Sequence, residues 1–277
     1  MSYESKVREF YDNAFHCYQR FMGDRWHHGD PEAEASGLPP LRACEVLEEK
    51  IVSQLGLKEG SWALDFGSGI GGPTLHMAQV SSASFVGVTN NERLNQKARE
   101  KAAQAGLAHK VRFVTLGDTD YKHLPFPEGT FDAVTFYESV CHIPDKAALF
   151  RELARILKPG GRLGGMDWLQ RPFGQYQTEE QILRFMQPLN DSTAIPGHGS
   201  VGSYTRMMEE AGLQVLVARD LYEGTLSKGS ATSEEQVQWL GYEGPEGEMF
   251  QQGKKTLDEA RAAGVFTVGM FVAVKPR

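Results

Sequence analysis

Hydrophobic residues recur at helical spacing near the start of the chain. Over residues 4–22, apolar and aromatic side chains return every three or four positions, which predicts an amphipathic helix. Residues 41–55 repeat this pattern, and the Asp-Pro and Gly-Leu-Pro-Pro stretches within residues 30–40 predict a loop between the two helices. We therefore expect an N-terminal helical cap over residues 1–56.

Short apolar runs alternate with amphipathic helices from residue 60 onward. The predicted strands lie at 62–66, 85–89, 111–115, 131–136, 162–167, 214–219 and 265–274, and the predicted helices at 93–105, 146–158 and 204–211. This alternation is typical of parallel strands joined by helices. The predicted fold class is therefore α/β, with a doubly wound, Rossmann-like, seven-stranded and mostly parallel sheet over residues 57–277.

Two stretches depart from this alternation. Residues 170–200 carry aromatic and polar side chains without strand spacing, and we interpret them as a lid inserted over the substrate. The acidic cluster from Glu243 to Glu248 is interpreted as a solvent-exposed loop.

Composition narrows the class of protein. Hydrophobic residues make up 40% and charged residues 23% of the 277 residues, which excludes global disorder. A net charge of −7 argues against nucleic-acid binding, and no window approaches the roughly 20 apolar residues of a membrane span. Three widely spaced cysteines indicate neither a disulfide framework nor a metal pair. We expect a cytoplasmic protein without a metal site that acts on a small molecule, either as a monomer or as a homo-oligomer.

The turn Asp65-Phe66-Gly67-Ser68-Gly69-Ile70-Gly71-Gly72 carries the clearest chemical signal, because it directly follows the first predicted strand. Glycines permit a tight turn and a close approach of ligand to backbone, which predicts a nucleotide-like cofactor here. The carboxylate of Asp65 favours a cationic group over a pyrophosphate. Three of the glycines also fit the dinucleotide fingerprint, but Thr89-Asn90-Asn91 lacks the acidic residue that such a site requires.

Four motifs, in fixed order across residues 60–165, resemble those of class I S-adenosylmethionine (SAM) dependent methyltransferases. They are Leu64-Asp65-Phe66-Gly67-Ser68-Gly69-Ile70-Gly71-Gly72, Gly117-Asp118, Leu124-Pro125-Phe126-Pro127-Glu128-Gly129-Thr130-Phe131-Asp132 and Leu157-Lys158-Pro159-Gly160-Gly161-Arg162-Leu163. The resemblance implies that the protein binds SAM, which would leave as S-adenosylhomocysteine.

The resemblance also implies a set of cofactor-binding residues. The glycine turn would hold the methionine part, Asp65 would orient its ammonium group through the loop, and the adenine would lie beside Asp118 and Thr119. The family usually has an acidic residue for the ribose after the second strand, where this chain has neutral residues and Glu92 as a substitute. The full implied set is Asp65, Gly67, Gly69, Gly71, Thr89, Asn90, Asp118, Thr119 and Glu138.

Two further segments, from Tyr11 to Gly29 and from Glu138 to Asp145, resemble a narrower subgroup. It contains tocopherol, sterol and geranyl diphosphate methyltransferases together with natural-product enzymes that methylate oxygen or nitrogen. The preferred function is C-methylation of an isoprenoid or another electron-rich carbon in a small, largely apolar metabolite. The alternatives are O- or N-methylation of a natural product, a nicotinamide-dependent oxidoreductase and a non-catalytic cofactor-binding protein.

Attack by a carbon nucleophile leaves a cation, which aromatic faces stabilise and a carboxylate or histidine deprotonates. Glu138 and His142 are therefore the candidate catalytic residues, and His142 or His28 would take a hydroxyl proton in the alternative. The candidate substrate-binding residues are Tyr11, Tyr18, Trp26, His28, Trp168, Phe173 and Tyr176. The competing interpretation is that the aromatic stripe of the first helix only packs on the core.

Overall fold

The computed structural model describes residues 3–174, 177–227 and 244–277. It begins with three helices, α1 (Tyr3–Phe21), α2 (Pro31–Ala35) and α3 (Pro40–Val52). The two predicted N-terminal helices are thus confirmed, but the loop predicted over residues 30–40 is wrong where α2 lies. Asp30 caps α2 by accepting a hydrogen bond from the backbone N–H of Ala33, and a proline occupies its first position.

Seven strands form one sheet, in the order β3-β2-β1-β4-β5-β7-β6. They are β1 (Trp62–Phe66), β2 (Ser84–Thr89), β3 (Val111–Thr115), β4 (Phe131–Tyr137), β5 (Leu157–Gln170), β6 (Gln214–Asp220) and β7 (Phe266–Val274). The pairs from β3 to β5 are parallel, and β7 runs antiparallel to β5 and β6. The predicted α/β fold with a mostly parallel seven-stranded sheet is confirmed.

Helices cover both faces of the sheet. They are α4 (Gly72–Val80), α5 (Glu92–Gln104), α6 (Lys146–Ile156), α7 (Glu179–Ser192), α8 (Val201–Glu210) and α9 (Pro245–Ala262). One buried apolar cluster joins the sheet to α3, α4, α5, α7 and α9, and a second joins it to α6 and α8. A small third cluster joins Phe15 of α1 to Ile70 and Leu94. Within these described ranges, no helix is long and apolar enough to cross a membrane.

Strand β5 is longer than the predicted 162–167. It starts directly after α6, so the Pro159-Gly160-Gly161 sequence lies inside the strand. Gly160 has a φ of 80°, and its N–H donates to the carbonyl oxygen of Lys275. The left-handed glycine therefore lets the strand bend while its backbone groups stay paired.

The exposed-loop interpretation of Glu243 to Glu248 is wrong for its described part, because α9 begins at Pro245; Glu243 lies outside the described residues. The carboxylate of Glu246 accepts hydrogen bonds from the backbone N–H groups of His16 and Cys17 in α1, at 2.9 and 3.1 Å. Helix α9 packs on α1 and α7. The acidic start of α9 therefore binds a neighbouring helix instead of facing only water.

Gly72 has no side chain and so lets the N-terminal segment lie close to the glycine turn. A methyl group on Gly72 would overlap the carbonyl oxygen of Asp24. We expect Gly72→Ala to lower the free energy of unfolding by about 1–3 kcal/mol, as overpacking does. Gly202 in α8 has open space around it, so Gly202→Ala is the matched control and should cause no loss. Urea unfolding measures both, and equal stability of the two variants would contradict this packing.

Candidate active site

An elongated pocket lies at the carboxyl ends of β3, β2, β1 and β4, and we call it the glycine-turn pocket. Leu116 to Asp118, Thr89 to Asn91, Asp65 to Ile70 and Glu138 to Ser139 line it, one group from each strand end. Four adjacent strands at about 4.8 Å spacing span roughly 14 Å. The order of the strands reverses between β1 and β4, where ligands of doubly wound sheets bind.

The glycine turn needs glycine for two different reasons. Gly67, Gly69 and Gly71 have φ values of 77°, 52° and 83°, which other residues rarely adopt. A methyl group on Gly67 would overlap the side chain of Ser139, whereas one on Gly69 would project toward Trp26 in the pocket. Gly71 is not among the lining residues, because it faces the ring of Phe113. Gly69 therefore leaves space for a ligand, and Gly71 serves packing.

Asp65 is buried at the base of the turn. Its carboxylate accepts hydrogen bonds from the hydroxyls of Thr74 at 2.5 Å and Thr135 at 2.9 Å. Burial raises the pKa of this carboxyl to about 6, although the two hydroxyls act in the opposite direction. A cation placed nearby would favour the ionised form.

Helix α1 covers the far end of the pocket at Asp118. The carboxylate of Asp118 accepts hydrogen bonds from the guanidinium of Arg8 at 2.9 Å and the hydroxyl of Ser5 at 3.1 Å. Asn90 donates to the same carboxylate at 3.4 Å. Thr119 is exposed and is not among the lining residues. Of the two residues expected beside the adenine, the structure thus brings Asp118 into the pocket.

The residues after β2 have distinct roles. Thr89 and Asn90 line the pocket, as expected for a ribose site. Asn91 accepts a hydrogen bond from the backbone N–H of Leu94 and so caps α5. Glu92 is wrong as an acidic substitute, because it pairs with Arg99 and the hydroxyl of Thr115 instead of lining the pocket. Asn90 therefore brings a neutral amide to the pocket lining, and Glu92 brings no carboxylate to it.

A second pocket, which we call the aromatic pocket, adjoins the first. Both are lined by Tyr11, Trp26, Glu138 and His142. Further apolar walls come from α1 through Phe10, Tyr18 and Phe21, and from α9 through Met249, Phe250 and Leu257. A ligand in one pocket would therefore meet a ligand in the other at these four shared residues.

Most of the predicted substrate-binding residues come together in the aromatic pocket. Tyr11, Tyr18, Trp26, His28 and Trp168 all line it. The exceptions are Phe173, which is 48% exposed in a turn and does not line it, and Tyr176, which lies outside the described residues.

Glu138 is buried at the boundary between the pockets, directly after β4, with a φ of 49°. One carboxylate oxygen accepts the backbone N–H of His28 at 2.7 Å and its Nδ1–H at 2.6 Å, and the other accepts Trp168 Nε1–H at 2.5 Å. Burial acts to raise the pKa of Glu138, but the contacts with His28 outweigh it and hold the pKa below its usual value. Glu138 is therefore a fixed anion.

His142 is also buried, with both ring nitrogens engaged. Its Nδ1 lies 3.1 Å from the carbonyl oxygen of Ala194, which can only accept, so Nδ1 carries the proton. Its Nε2 then accepts a hydrogen bond from the Tyr11 hydroxyl at 2.9 Å. Burial lowers the pKa of His142 to about 4. His142 is thus neutral near pH 7 and orients Tyr11.

Comparison with known proteins shows the family. The family model described as a methyltransferase domain matches residues 64–164. A sterol 24-C-methyltransferase of Aspergillus fumigatus is 31% identical over 79% of this chain, which spans 56% of that protein's length. The chloroplastic tocopherol O-methyltransferase of Arabidopsis thaliana is 26% identical over 98% of this chain and 82% of its own length. The chain belongs to the class I SAM-dependent methyltransferases.

A solved structure of this methyltransferase family shares the fold. The geranyl diphosphate C-methyltransferase of Streptomyces coelicolor A3(2), in complex with Mg²⁺, geranyl diphosphate and S-adenosyl-L-homocysteine, has a TM-score of 0.75. It is 20% identical, and the match covers 99% of this chain and 98% of that one. The resemblance inferred from the four motifs is confirmed. The alternative of a nicotinamide-dependent oxidoreductase is therefore discarded.

Sequence reasoning missed the part of the site that α9 contributes. Met249, Phe250, Lys254, Leu257 and Arg261 all line the aromatic pocket. Their spacing of three, four and seven positions is helical, so the pattern was available in the sequence. Among the described residues, no cluster of three or more carboxylate, histidine or cysteine side chains could hold a metal ion.

Asp65 gives a pH-dependent contribution to stability in the free protein. Because its pKa is raised from 3.8 to about 6, this contribution is present below pH 4 and is lost as the pH rises through 6. We expect Asp65→Asn to gain stability relative to the unmodified protein between pH 4 and 7, by about 3 kcal/mol or less. Urea unfolding across that range measures the difference.

Asp132 is the matched control, because Lys158 and the backbone N–H of Trp62 outweigh burial and lower its pKa. Asp132→Asn should therefore show the opposite slope, losing relative stability as the pH rises through the acidic range. The same slope for both variants would contradict the raised pKa of Asp65.

Proposed function

We propose that the protein is a SAM-dependent methyltransferase that acts on a small, largely apolar metabolite. The preferred reaction is C-methylation of an isoprenoid or another electron-rich carbon. The observation that carries the proposal is the junction of the two pockets at Tyr11, Trp26, Glu138 and His142. A donor in the glycine-turn pocket and an acceptor in the aromatic pocket would be aligned there, and alignment supplies most of the acceleration of such a transfer.

The glycine-turn pocket fits SAM in its length and in its polar groups. The buried hydroxyl of Ser68 lacks a hydrogen-bond partner among the described residues, and Gly69 leaves the floor open. Asp65 and the turn would hold the methionine part, Asn90 the ribose and Asp118 the adenine. When bound, SAM supplies an electrophilic methyl group.

Carbon is favoured over oxygen by the chemistry at the junction. Rings from α1 together with Trp26 and Trp168 line the aromatic pocket, and their faces stabilise a positive charge on the acceptor. Glu138 adds a fixed negative charge. Its carboxylate has about four acceptor sites, and three of them accept hydrogen bonds from N–H groups, so one site is left for a proton. For a hydroxyl acceptor the candidate base is His142, and Tyr11 occupies its Nε2.

O- or N-methylation of a natural product remains the second candidate. It is supported by the tocopherol O-methyltransferase relative, which matches 98% of this chain. In that reaction, His142 would take the hydroxyl proton after its hydrogen bond with Tyr11 opens.

The two predicted covering elements belong to the same proposal. Residues 1–56 would act as a cap, supported by the contacts of α1 with Asp118. Residues 170–200 would act as a lid, supported by Thr193 in the aromatic pocket and by the contact of Ala194 with His142. A cytoplasmic location is supported by the three free, buried cysteines.

The first test measures donor binding and methyl transfer separately. We expect calorimetry to show binding of SAM and S-adenosylhomocysteine, but not of NADH. Asp118→Ala should weaken binding by about tenfold or more, since it removes a charged hydrogen-bond acceptor. Thr119→Ala is the neighbouring control and should leave the affinity unchanged.

Transfer is then followed with methyl-labelled SAM and three acceptors, namely geranyl diphosphate, a sterol and a tocopherol-type phenol. Mass spectrometry should locate the label on a carbon atom. Label on oxygen would establish the second candidate. Binding without transfer to any acceptor would favour a non-catalytic role, and absence of donor binding would refute the proposal.

The second test compares the two candidate catalytic residues. We expect Glu138→Gln to lower kcat by about 100-fold or more, because it removes the fixed charge and the proton acceptor. His142→Asn should have a smaller effect that Tyr11→Phe reproduces, since His142 acts by orienting Tyr11. The kcat of the unmodified protein should show no inflection from His142 between pH 6 and 8, because its pKa is about 4.

Two outcomes would overturn these assignments. A larger loss in His142→Asn than in Glu138→Gln would make His142 the proton acceptor. Full activity in both variants would show that neither Glu138 nor His142 acts as an acid or a base in the reaction.

A further inference from the structure

Arg261 lies in the last turn of α9 and reaches the boundary between the two pockets through His28. Its guanidinium Nη2 is 2.5 Å from His28 Nε2, and His28 Nδ1 is 2.6 Å from the carboxylate of Glu138. All three side chains line the aromatic pocket. They form a buried series of cation, imidazole and anion from three separate parts of the chain.

The donors and acceptors of this series fix the state of His28. A guanidinium only donates hydrogen bonds, so Nε2 of His28 must be the acceptor and carries no proton. The neutral ring then holds its proton on Nδ1, which faces Glu138. The other neutral tautomer would set two lone pairs against each other across 2.6 Å. Arg261 and Glu138 therefore select the same tautomer of His28.

The same contact disfavours a second proton on His28. Burial lowers the pKa of His28, Arg261 and His27 lower it further, and Glu138 opposes them. The rings of Trp168 and Phe266 pack around the imidazole without adding charge. A doubly protonated His28 would neutralise the charge of Glu138 at the junction.

Stability alone does not account for Arg261. Its side chain is 13% exposed, and its ion pair is with Asp258 at 3.3 Å, a residue whose side chain is 47% exposed. The Nε atom is buried and lacks a hydrogen-bond partner among the described residues. Burying a guanidinium in this way costs more than an apolar side chain would. What this position gains is the contact with His28, together with a cation–π contact with the ring of Phe266 at 5.6 Å.

We propose that Arg261 is a positioning residue that acts through His28 to keep Glu138 charged and fixed at the junction of the two pockets. This inference rests on the proposed function, because the charge of Glu138 matters only if an acceptor reacts there. Arg261 itself does not line the glycine-turn pocket, so it makes no direct contact with a donor bound there.

The test uses Arg261→Met, which removes the donor but keeps an extended apolar chain, and Arg261→Lys, which retains a donor. Lys255→Met is the control, because Lys255 lies exposed on the same helix. Nitrogen-15 NMR of histidine-labelled full-length protein reports the tautomer of His28, with His28→Gln to assign its signals. This measurement needs no turnover, so it stands even if no methyl acceptor is found.

We expect a proton on Nδ1 and none on Nε2 in the unmodified protein, the Lys255→Met control and Arg261→Lys. In Arg261→Met, His28 should become doubly protonated at a higher pH than in the unmodified protein. The kcat should fall by about 10- to 100-fold, as when a group that orients a functional residue is lost. The acidic limb of the pH profile of kcat should move to higher pH, while the variant still binds S-adenosylhomocysteine.

An unchanged titration of His28 in Arg261→Met would overturn the inference, even if activity fell. If Arg261→Met does not fold, Arg261→Lys decides, and a proton on Nε2 in that variant would also overturn it. Failure of the proposed function is seen separately, as loss of donor binding or of transfer in the unmodified protein.

Discussion

The segment that joins α1 to α2 sets the geometry of the site, because it crosses the carboxyl edge of the sheet and is held at both ends. At one end, the carbonyl of Asp24 lies so close to Gly72 that no side chain fits there. At the other end, the backbone and ring N–H groups of His28 both donate to Glu138. Trp26 lies between them and lines both pockets. The position of this segment therefore decides where one pocket ends and the other begins.

Two buried carboxylates at this edge differ in pKa because their hydrogen-bond donors differ. The carboxylate of Asp65 accepts hydrogen bonds from two neutral hydroxyls. These bonds only partly offset the rise in pKa that burial causes, so the pKa of Asp65 is about 6. The carboxylate of Glu138 accepts hydrogen bonds from three N–H groups, and Arg261 contacts His28, which provides two of them. The pKa of Glu138 stays below its usual value. The environment of Asp65 would be completed by a cationic ligand, whereas that of Glu138 is completed by the protein. Environments that separate the pKa values of two acids are how one site gives them different tasks.

Local patterns predicted the sheet and the glycine turn, since the turn directly follows its strand and the positive φ values of its glycines are a local property. The helix α2 could have been found in the same way, because Asp30-Pro31 is a helix-start signal. The partners of Arg261 could not, because 233 residues separate it from His28 and no spacing encodes such a contact. Phe173 was predicted to bind substrate but does not line the aromatic pocket. An aromatic residue in the predicted lid segment does not specify the direction in which its turn points.

The division between the pockets explains how one family can serve acceptors as different as those named for its relatives. The glycine turn and Glu138 lie within residues 64–164, which match the methyltransferase domain model. The walls of the aromatic pocket come largely from α1 and α9, outside that range. Acceptor choice can therefore change while the donor side stays fixed. Whether the acceptor atom is carbon or oxygen then depends on which lone pairs at the junction are free, and here the protein itself occupies both nitrogens of His142.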